Sequence, residues 1–442
     1  MKLVTKPMSV AVRKEVDVVV CGGGPAGIGA AIAAARNGAQ VALIEDRAFL
    51  GGNITACYVE SCNYFLHGHP FDVSGIYKEI ELDYRDQFGS SDDIRTDFDP
   101  HRFSSEYLKI YLDSKMEKEG IWLRLHSKVV DVLMEEGQVK GVIIASKAGL
   151  ELISAKVVID CTGDGDVAAS AGVPFEQGRE ADGLVQPGTV NFRIAGVDSA
   201  KVKEILDREG VEYFYQIYRQ KVAEGVIDMG YKRQVFPMGR LTAGGQISYI
   251  NFCNVFKIDP TDPDDLTYGE VLCRKHVLKM FRFMKEYLPG FEHAELASIA
   301  PSIGFRESRR IRGMYKLTEE DIDNERVFED TIAIYPRFYD ILSPTGTWDD
   351  HVFLKDLDKT YGIPYRSLVP VNVEQLLVAG RCISTDHMAE GSVRAISACM
   401  ATGQAAGTAA ALAIKGGRLV RDVDVKSVQA TLRSQGVELP EL

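Results

Sequence analysis

A run of β-branched residues, VDVVVC at 16–21, predicts a buried strand. It passes directly into GGGPAG at 22–27 and then IGAAIAAARNG, an Ala-rich helix ended by Asn37-Gly38. QVALIE at 40–45 predicts a second strand, so these segments form one βαβ unit with parallel strands. The pattern changes over 121–160, where IWLRL, KVVDVLM, QVKGVIIA, LELI and KVVID are short β-rich runs. Turn signals at Glu136-Gly137 and Ala148-Gly149 separate them, predicting an antiparallel meander that rejoins the main sheet through 156–160. From about 199 to 290 the period is helical, most clearly where Thr267-x-x-Glu270 predicts a capping box and Pro289-Gly290 a stop. Residues 324–366, dense in aromatics, Asp and Pro, give no assignment. QLLVAG at 375–380 reads as a buried strand, and Gly391-Ser392 precede a predicted helix over 393–414 whose small side chains allow close backbone approach.

The expected fold class is α/β: a Rossmann-like domain with a parallel central sheet and a β-meander, plus an inserted mixed α+β substrate domain. Residues 1–56, 121–175 and 365–442 are expected to build the first, discontinuously, and 57–120 with 176–364 the second.

Composition narrows the function classes. The 442 residues carry 51 Lys+Arg against 63 Asp+Glu, a net charge of −12 that argues against nucleic acid as a partner. Eight Cys are too sparse for a disulfide scaffold. The opening residues lack a signal-peptide-like apolar stretch, and the Ala/Gly-rich runs at 26–36 and 393–414 do not read as membrane spans, so a cytoplasmic protein is expected.

Gly22-x-Gly24-x-x-Gly27 matches the dinucleotide fingerprint. The first Gly permits the tight turn, the second lets a pyrophosphate approach the backbone, and the third lets the helix pack on the strand. Free N–H groups at the helix start then hold phosphate. Glu45 ends the second strand, where an acid hydrogen-bonds ribose hydroxyls. FAD and NAD share this fingerprint. Further along come Asp46-Arg47, the pair Gly51-Gly52 with Asn53, and a second strand-to-Gly turn at Thr162-Gly163.

Four segments then make a more specific match: IGFRESRRIRG (303–313), YGIPYRSLVP (361–370), LLVAGRCIST (376–385) and GSVRAISACMATGQAAG (391–407). The chain resembles, nearly end to end, a bacterial family called FAD-dependent oxidoreductase, related to fumarate reductase flavoproteins. The resemblance implies that Gly22, Gly24, Pro25, Ala26 and Gly27 hold the FAD pyrophosphate, Glu45 with its neighbour Asp46 the adenosine ribose, and Arg47 the adenine side. It places Gly51, Gly52 and Asn53 along the pyrophosphate and ribityl chain, and Val129 at the adenine. Thr162 and Gly163 would close the pocket, and Gly380 and Arg381 would reach the ribityl and phosphate region. Val393, Arg394 and Ala395 would start the last helix, with its N–H groups facing the flavin pyrimidine ring.

Candidate chemistry beyond the cofactor rests on fewer residues. GDGDVA at 163–168 formally repeats a fingerprint but breaks at Gly172-Val173-Pro174, so no second, NAD-binding unit is expected. Cys57 and Cys62 have the C-x4-C spacing of a redox disulfide, at the wrong offset from the Gly pair; inert buried thiols are the alternative. His67-x-His69 lacks a third ligand, so no metal is expected. Residues 301–316 carry Arg306, Arg309, Arg310, Arg312 and Lys316 against Glu307 alone. An extended segment would place Arg306, Arg310 and Arg312 on one face for an anionic substrate such as a carboxylate. Pairing with the protein's own acids or with FAD phosphate explains the run equally. His387 is the candidate for proton transfer, with a hydrogen-bonding or surface role as its alternative.

The expected activity is hydride transfer between FAD and a small organic substrate, with an electron donor or acceptor that is NAD(P)H, a protein or a quinone. Two other classes stay open: a non-redox enzyme resembling thiazole synthase, with Cys57 as sulfur donor, and a flavin-stabilised binding subunit of a redox complex. Oligomeric state is not legible.

Overall fold

The computed structural model describes residues 9–60, 73–89, 103–231, 241–347 and 351–441. Its main sheet has seven strands. Trp122–Arg124, Val41–Ile44, Ala11–Cys21 and Gly149–Asp160 lie side by side in parallel. The strand Gly149–Asp160 is divided in its pairing. Its first half is antiparallel to Gln138–Ser146, which continues the meander to Lys128–Glu135, and its last residues pair in parallel with Leu376–Val378. The meander therefore stands where the residue pattern predicts it. The first strand begins at Ala11 rather than at residue 16, because exposed residues of its first half pair with Glu151–Ser154 despite burying little.

Helix Pro25–Arg36 lies against helix Ile396–Gly416 with almost no side chain between them. A Cβ on Gly403 would strike the Ala26 carbonyl, and one on Gly407 the Ala30 carbonyl. Only Gly tolerates that approach, which explains the small-residue composition of both helices.

A three-stranded antiparallel sheet, Glu295–Ile299, Gly188–Ala195 and Ile247–Val255, carries helix Pro263–Tyr287 on one side. Phe192, Ile194, Phe252, Val277 and Met280 form its separate core. Helices Ile76–Phe88 and Ser105–Lys118 do not join that core. Ile76, Ile80, Leu108 and Leu112 pack instead with the main sheet, as do Ile332, Tyr335 and Tyr361.

Three local expectations change. The helix over 263–287 starts at Pro263, capped by the Asp262 carboxylate, and Thr267 lies inside it donating to the Pro263 carbonyl. Glu270 points away to accept from Ile303 N and to pair with Arg274, so Thr267 and Glu270 form no capping box. Residues left unassigned form a long antiparallel pair, Thr331–Ile341 with Val352–Pro364. The last helix is two: His387–Val393, capped by Asp386, then Ile396–Gly416 after a break at Arg394 and Ala395. Gly391 lies inside the first because a Cβ there would crowd Ile341.

Candidate functional site

The fingerprint loop is built by backbone contacts that exclude side chains. Gly22 has φ +100°, and a Cβ there would collide with the Cys161 carbonyl; one on Gly27 would collide with Gly22 O. Gly24 differs, since a Cβ would find its nearest neighbour, Gly52 Cα, at 3.7 Å. Gly24 is also the N-cap of helix Pro25–Arg36 and has no side chain to satisfy the first-turn N–H groups. The result is an open cradle with donors and a positive helix end facing it. Gly51 N donates to Gly23 O at 2.8 Å, and Gly52, at φ +54°, comes against Gly24 and Pro25, so the Gly pair forms the second wall.

Glu45, 4% exposed, accepts from Gly23 N at 2.6 Å and from Arg47 N at 2.9 Å. Burial, reinforced by its hydrogen bond with Asp46, pushes its carboxyl up to about 7. Arg47 pairs with Glu45 and Asp46 and reaches Ser302 Oγ at 3.5 Å. His126 N donates to Arg47 O and Ser127 N to Glu45 O, which brings the strand carrying Val129 to this corner.

On the opposite side Gly380 N donates to Thr402 Oγ1 at 3.0 Å, and a Cβ on Gly380 would lie 2.8 Å from that of Ala26. Arg381 spans the gap. It pairs with Asp164 at 2.5 Å, donates to the Phe305 carbonyl, and covers Gly163. Thr162 is engaged with the buried Asp160, which also accepts from Ala168 N and so holds the short helix Asp166–Ser170. Val393 ends the helix His387–Val393, Arg394 caps its end and Ala395 caps the start of the next helix, so these three residues do not begin one helix. Arg394 turns to Asp340.

The basic run separates. Arg306 donates to Pro187 O and Thr189 Oγ1, Arg309 pairs with Asp166, and Arg310 is buried on Glu307 and the Gly178 carbonyl. Arg312 is exposed beside Glu176. Arg306, Arg310 and Arg312 therefore share no face, because only Arg309–Ile311 is a strand and each guanidinium is drawn to a different oxygen. Glu307 is the residue that the sequence reading passed over. It is fully buried and accepts from Gln186 N, Arg310 and His387 Nδ1, the last at 2.9 Å. Its signal was being the lone acid in a basic run.

Cys57 is buried beside Asn53 Oδ1, at 3.4 Å, and Ser302 Oγ, at 3.7 Å, and burial raises its thiol pKa. Cys62, His67 and His69 lie outside the described residues. Among the described residues no cluster of His, Cys, Asp and Glu could hold a metal, and no helix is long and apolar enough to cross a membrane.

Residues 17–432 match the family described as FAD dependent oxidoreductase. The chain belongs to this family. FAD is accordingly the cofactor of this oxidoreductase, and the open Gly24 cradle, the uncapped helix start and the buried Glu45 beside them fit a dinucleotide. The oxidoreductase is also 30% identical over 162 residues to a thiamine thiazole synthase of Pyrococcus horikoshii, covering 34% of this chain and 58% of that protein. A second thiamine thiazole synthase, of Methanococcus aeolicus, is 32% identical over 184 residues, covering 39% and 64%. The match spans less than two thirds of the length of these relatives. Among solved structures, a geranylgeranyl bacteriochlorophyll reductase-like protein of Thermoplasma acidophilum is 14% identical with a TM-score of 0.47, covering 96% of this chain and 84% of that one.

Proposed function

We propose that this oxidoreductase transfers a hydride between FAD and a small organic substrate, with His387 moving the accompanying proton. FAD supplies the two-electron chemistry when bound. The chain's own residues would do the rest. Gly22, Gly24 and Gly27 with the first-turn N–H groups would hold the pyrophosphate, Glu45 the ribose, and Gly52, Asn53 and Arg381 the connecting chain. The observation that carries the proton step is the His387–Glu307 contact. A buried acceptor on Nδ1 fixes the imidazole's orientation and leaves Nε2 to exchange a proton.

An anionic substrate is the finer part of this reading. It is read from Arg306, whose guanidinium donates to the Pro187 carbonyl and to Thr189 Oγ1 and would take an anion's oxygen beside them. The test is anaerobic reduction of the bound flavin by a panel of small carboxylates and their neutral analogues. Arg306→Ala should raise KM for the acids and leave the analogues unaffected; unchanged kinetics with both would remove the anionic refinement.

The similarity to thiazole synthases supports a second reading, in which Cys57 donates sulfur. The buried, proton-bearing state of that thiol counts against it.

A further inference from the structure

Helix Pro263–Tyr287 has two faces of different character. Cys273, Val277, Met280 and Met284 pack into the core of the three-stranded sheet. On the other side Tyr268, Val271, Lys275, Leu278, Arg282 and Lys285 follow one another at spacings of three and four, which sets them in one stripe along the helix. All six are exposed. The apolar members stand open to water, Tyr268 at 57% and Val271 and Leu278 at 44% each. Val226, exposed as well, meets Leu278 across a groove of about 370 Å³ between the helix and residues 226–227.

The cations of this face are bonded to uncharged groups or to none. Lys285 Nζ donates to the Ala294 carbonyl at 3.0 Å, and Lys279, beside the stripe, donates to the Asp228 carbonyl. A carbonyl satisfies an N–H but does not neutralise the charge. Lys275 and Arg282 have no partner among the described residues. Two acids border them and are engaged otherwise, Glu286 with the Tyr287 hydroxyl and Asp228 with Gly230 N. In a chain of net charge −12, cations gathered on one exposed face form a local positive field that draws an anionic partner.

Apolar and cationic residues alternating along one exposed helix fit a partner with both characters. A nucleic acid or an acidic polymer would meet the cations and leave Tyr268, Val271 and Leu278 in water. A bilayer with anionic headgroups meets both. A helix lying in that interface sets its apolar side chains among the upper acyl carbons, while Lys and Arg reach back to the phosphates. The groove extends the same pattern, with Val226, Leu278 and Phe283 placed for an acyl chain and Lys275 and Arg282 for its headgroup. We propose that the exposed face of helix Pro263–Tyr287 docks this protein reversibly on an anionic lipid surface. The contact needs no membrane-spanning segment and does not depend on how the cofactor site works.

The experiment sediments the protein with vesicles of phosphatidylcholine alone, and of phosphatidylcholine with one third phosphatidylglycerol, at rising salt. Binding should be confined to the anionic vesicles and weaken as salt screens it. Each Lys or Arg near such a surface strengthens binding about fivefold, so the double variant Lys275→Ala, Arg282→Ala should bind about 25-fold more weakly. Leu278→Asn should also weaken vesicle binding several-fold, because it removes an apolar anchor without touching charge. All three positions are exposed, so the variants should keep the parent's melting temperature. Equal binding to neutral vesicles, no binding to anionic vesicles at low salt, or a double variant that binds like the parent would each overturn the proposal. Binding to soluble polyglutamate but not to vesicles would overturn it too, and would assign the face to an acidic protein.

Discussion

His387 Nδ1 lies 2.9 Å from Oε1 of Glu307, a carboxylate with no solvent exposure that also bonds to Arg310 and to Gln186 N. The imidazole is thus fixed by a group that is itself fixed from three directions. His387→Ala should retain the flavin spectrum and lower kcat by about 10²–10⁴, the usual contribution of a proton-transfer group. Glu307→Gln should act through orientation and through Arg310, whose buried charge loses its counterion. Urea unfolding should register a stability loss of about 3–5 kcal/mol. Full activity in H387A would remove the residue from the mechanism.

Two glycines of one fingerprint should respond differently to the same methyl group. Gly24→Ala has room in the apoprotein and should leave its thermal unfolding nearly unchanged, while filling the cradle and weakening FAD binding. Gly27→Ala drives a Cβ into the Gly22 carbonyl and should lower the stability of the apoprotein itself, by about 1–3 kcal/mol. Calorimetry of both apoproteins, followed by FAD titration, separates the two. Equal losses of stability would contradict the geometry.

Stability of the apoprotein should fall as pH rises through the Glu45 range. The ordinary value of its carboxyl is 4.5 and burial pushes it up to about 7, so the folded chain binds this proton more tightly than the unfolded one. The stability it contributes is complete below 4.5 and is lost as pH rises through about 7. Asp160, pushed up to about 6, adds a slope of the same sign over a lower window. Asp46 is shifted downward, and its contribution is lost only as pH falls below its ordinary 3.8. Melting temperatures across this range should flatten at the upper end in Glu45→Gln; an unchanged curve would reject the assignment.

The state of Cys57 distinguishes redox chemistry from sulfur donation. A buried thiol with a raised pKa should react with a disulfide reagent only as the chain unfolds. Cys57→Ser should be reduced anaerobically like the parent. Rapid modification of the native thiol, together with loss of product formation in the Ser variant, would favour the thiazole-synthase-like reading.

The sequence was most legible where local pattern and tertiary need coincide. The first βαβ unit and the meander follow from residues whose neighbours in space are also near in sequence, and the Gly cradle from a motif spacing, although Gly22 packs on the distant Cys161 carbonyl. The strand Thr331–Ile341 escaped because it is buried on both faces over most of its length, which removes the alternation that marks a strand, and its partner Val352–Pro364 is buried only over its last four residues. Thr267-x-x-Glu270 misled because Asp262 captures the helix start five residues earlier. Glu307 was overlooked for a different reason: its partners Gln186 and His387 lie far along the chain, and being the lone acid in a basic run is its one trace in the sequence.

The division of Gly149–Asp160 between two partners bears on how the chain is made. Leu376–Val378 completes the sheet beside residues 158–160, and helix Ile396–Gly416 packs backbone to backbone on Pro25–Arg36. A ribosome therefore releases more than three hundred residues before the nucleotide fingerprint at the front of the chain can gain its final support. Such distant pairings are slow to close and leave apolar surface waiting. The emerging protein should depend on chaperone protection until residues 376–416 appear, and FAD should enter after those residues rather than when its fingerprint first leaves the tunnel.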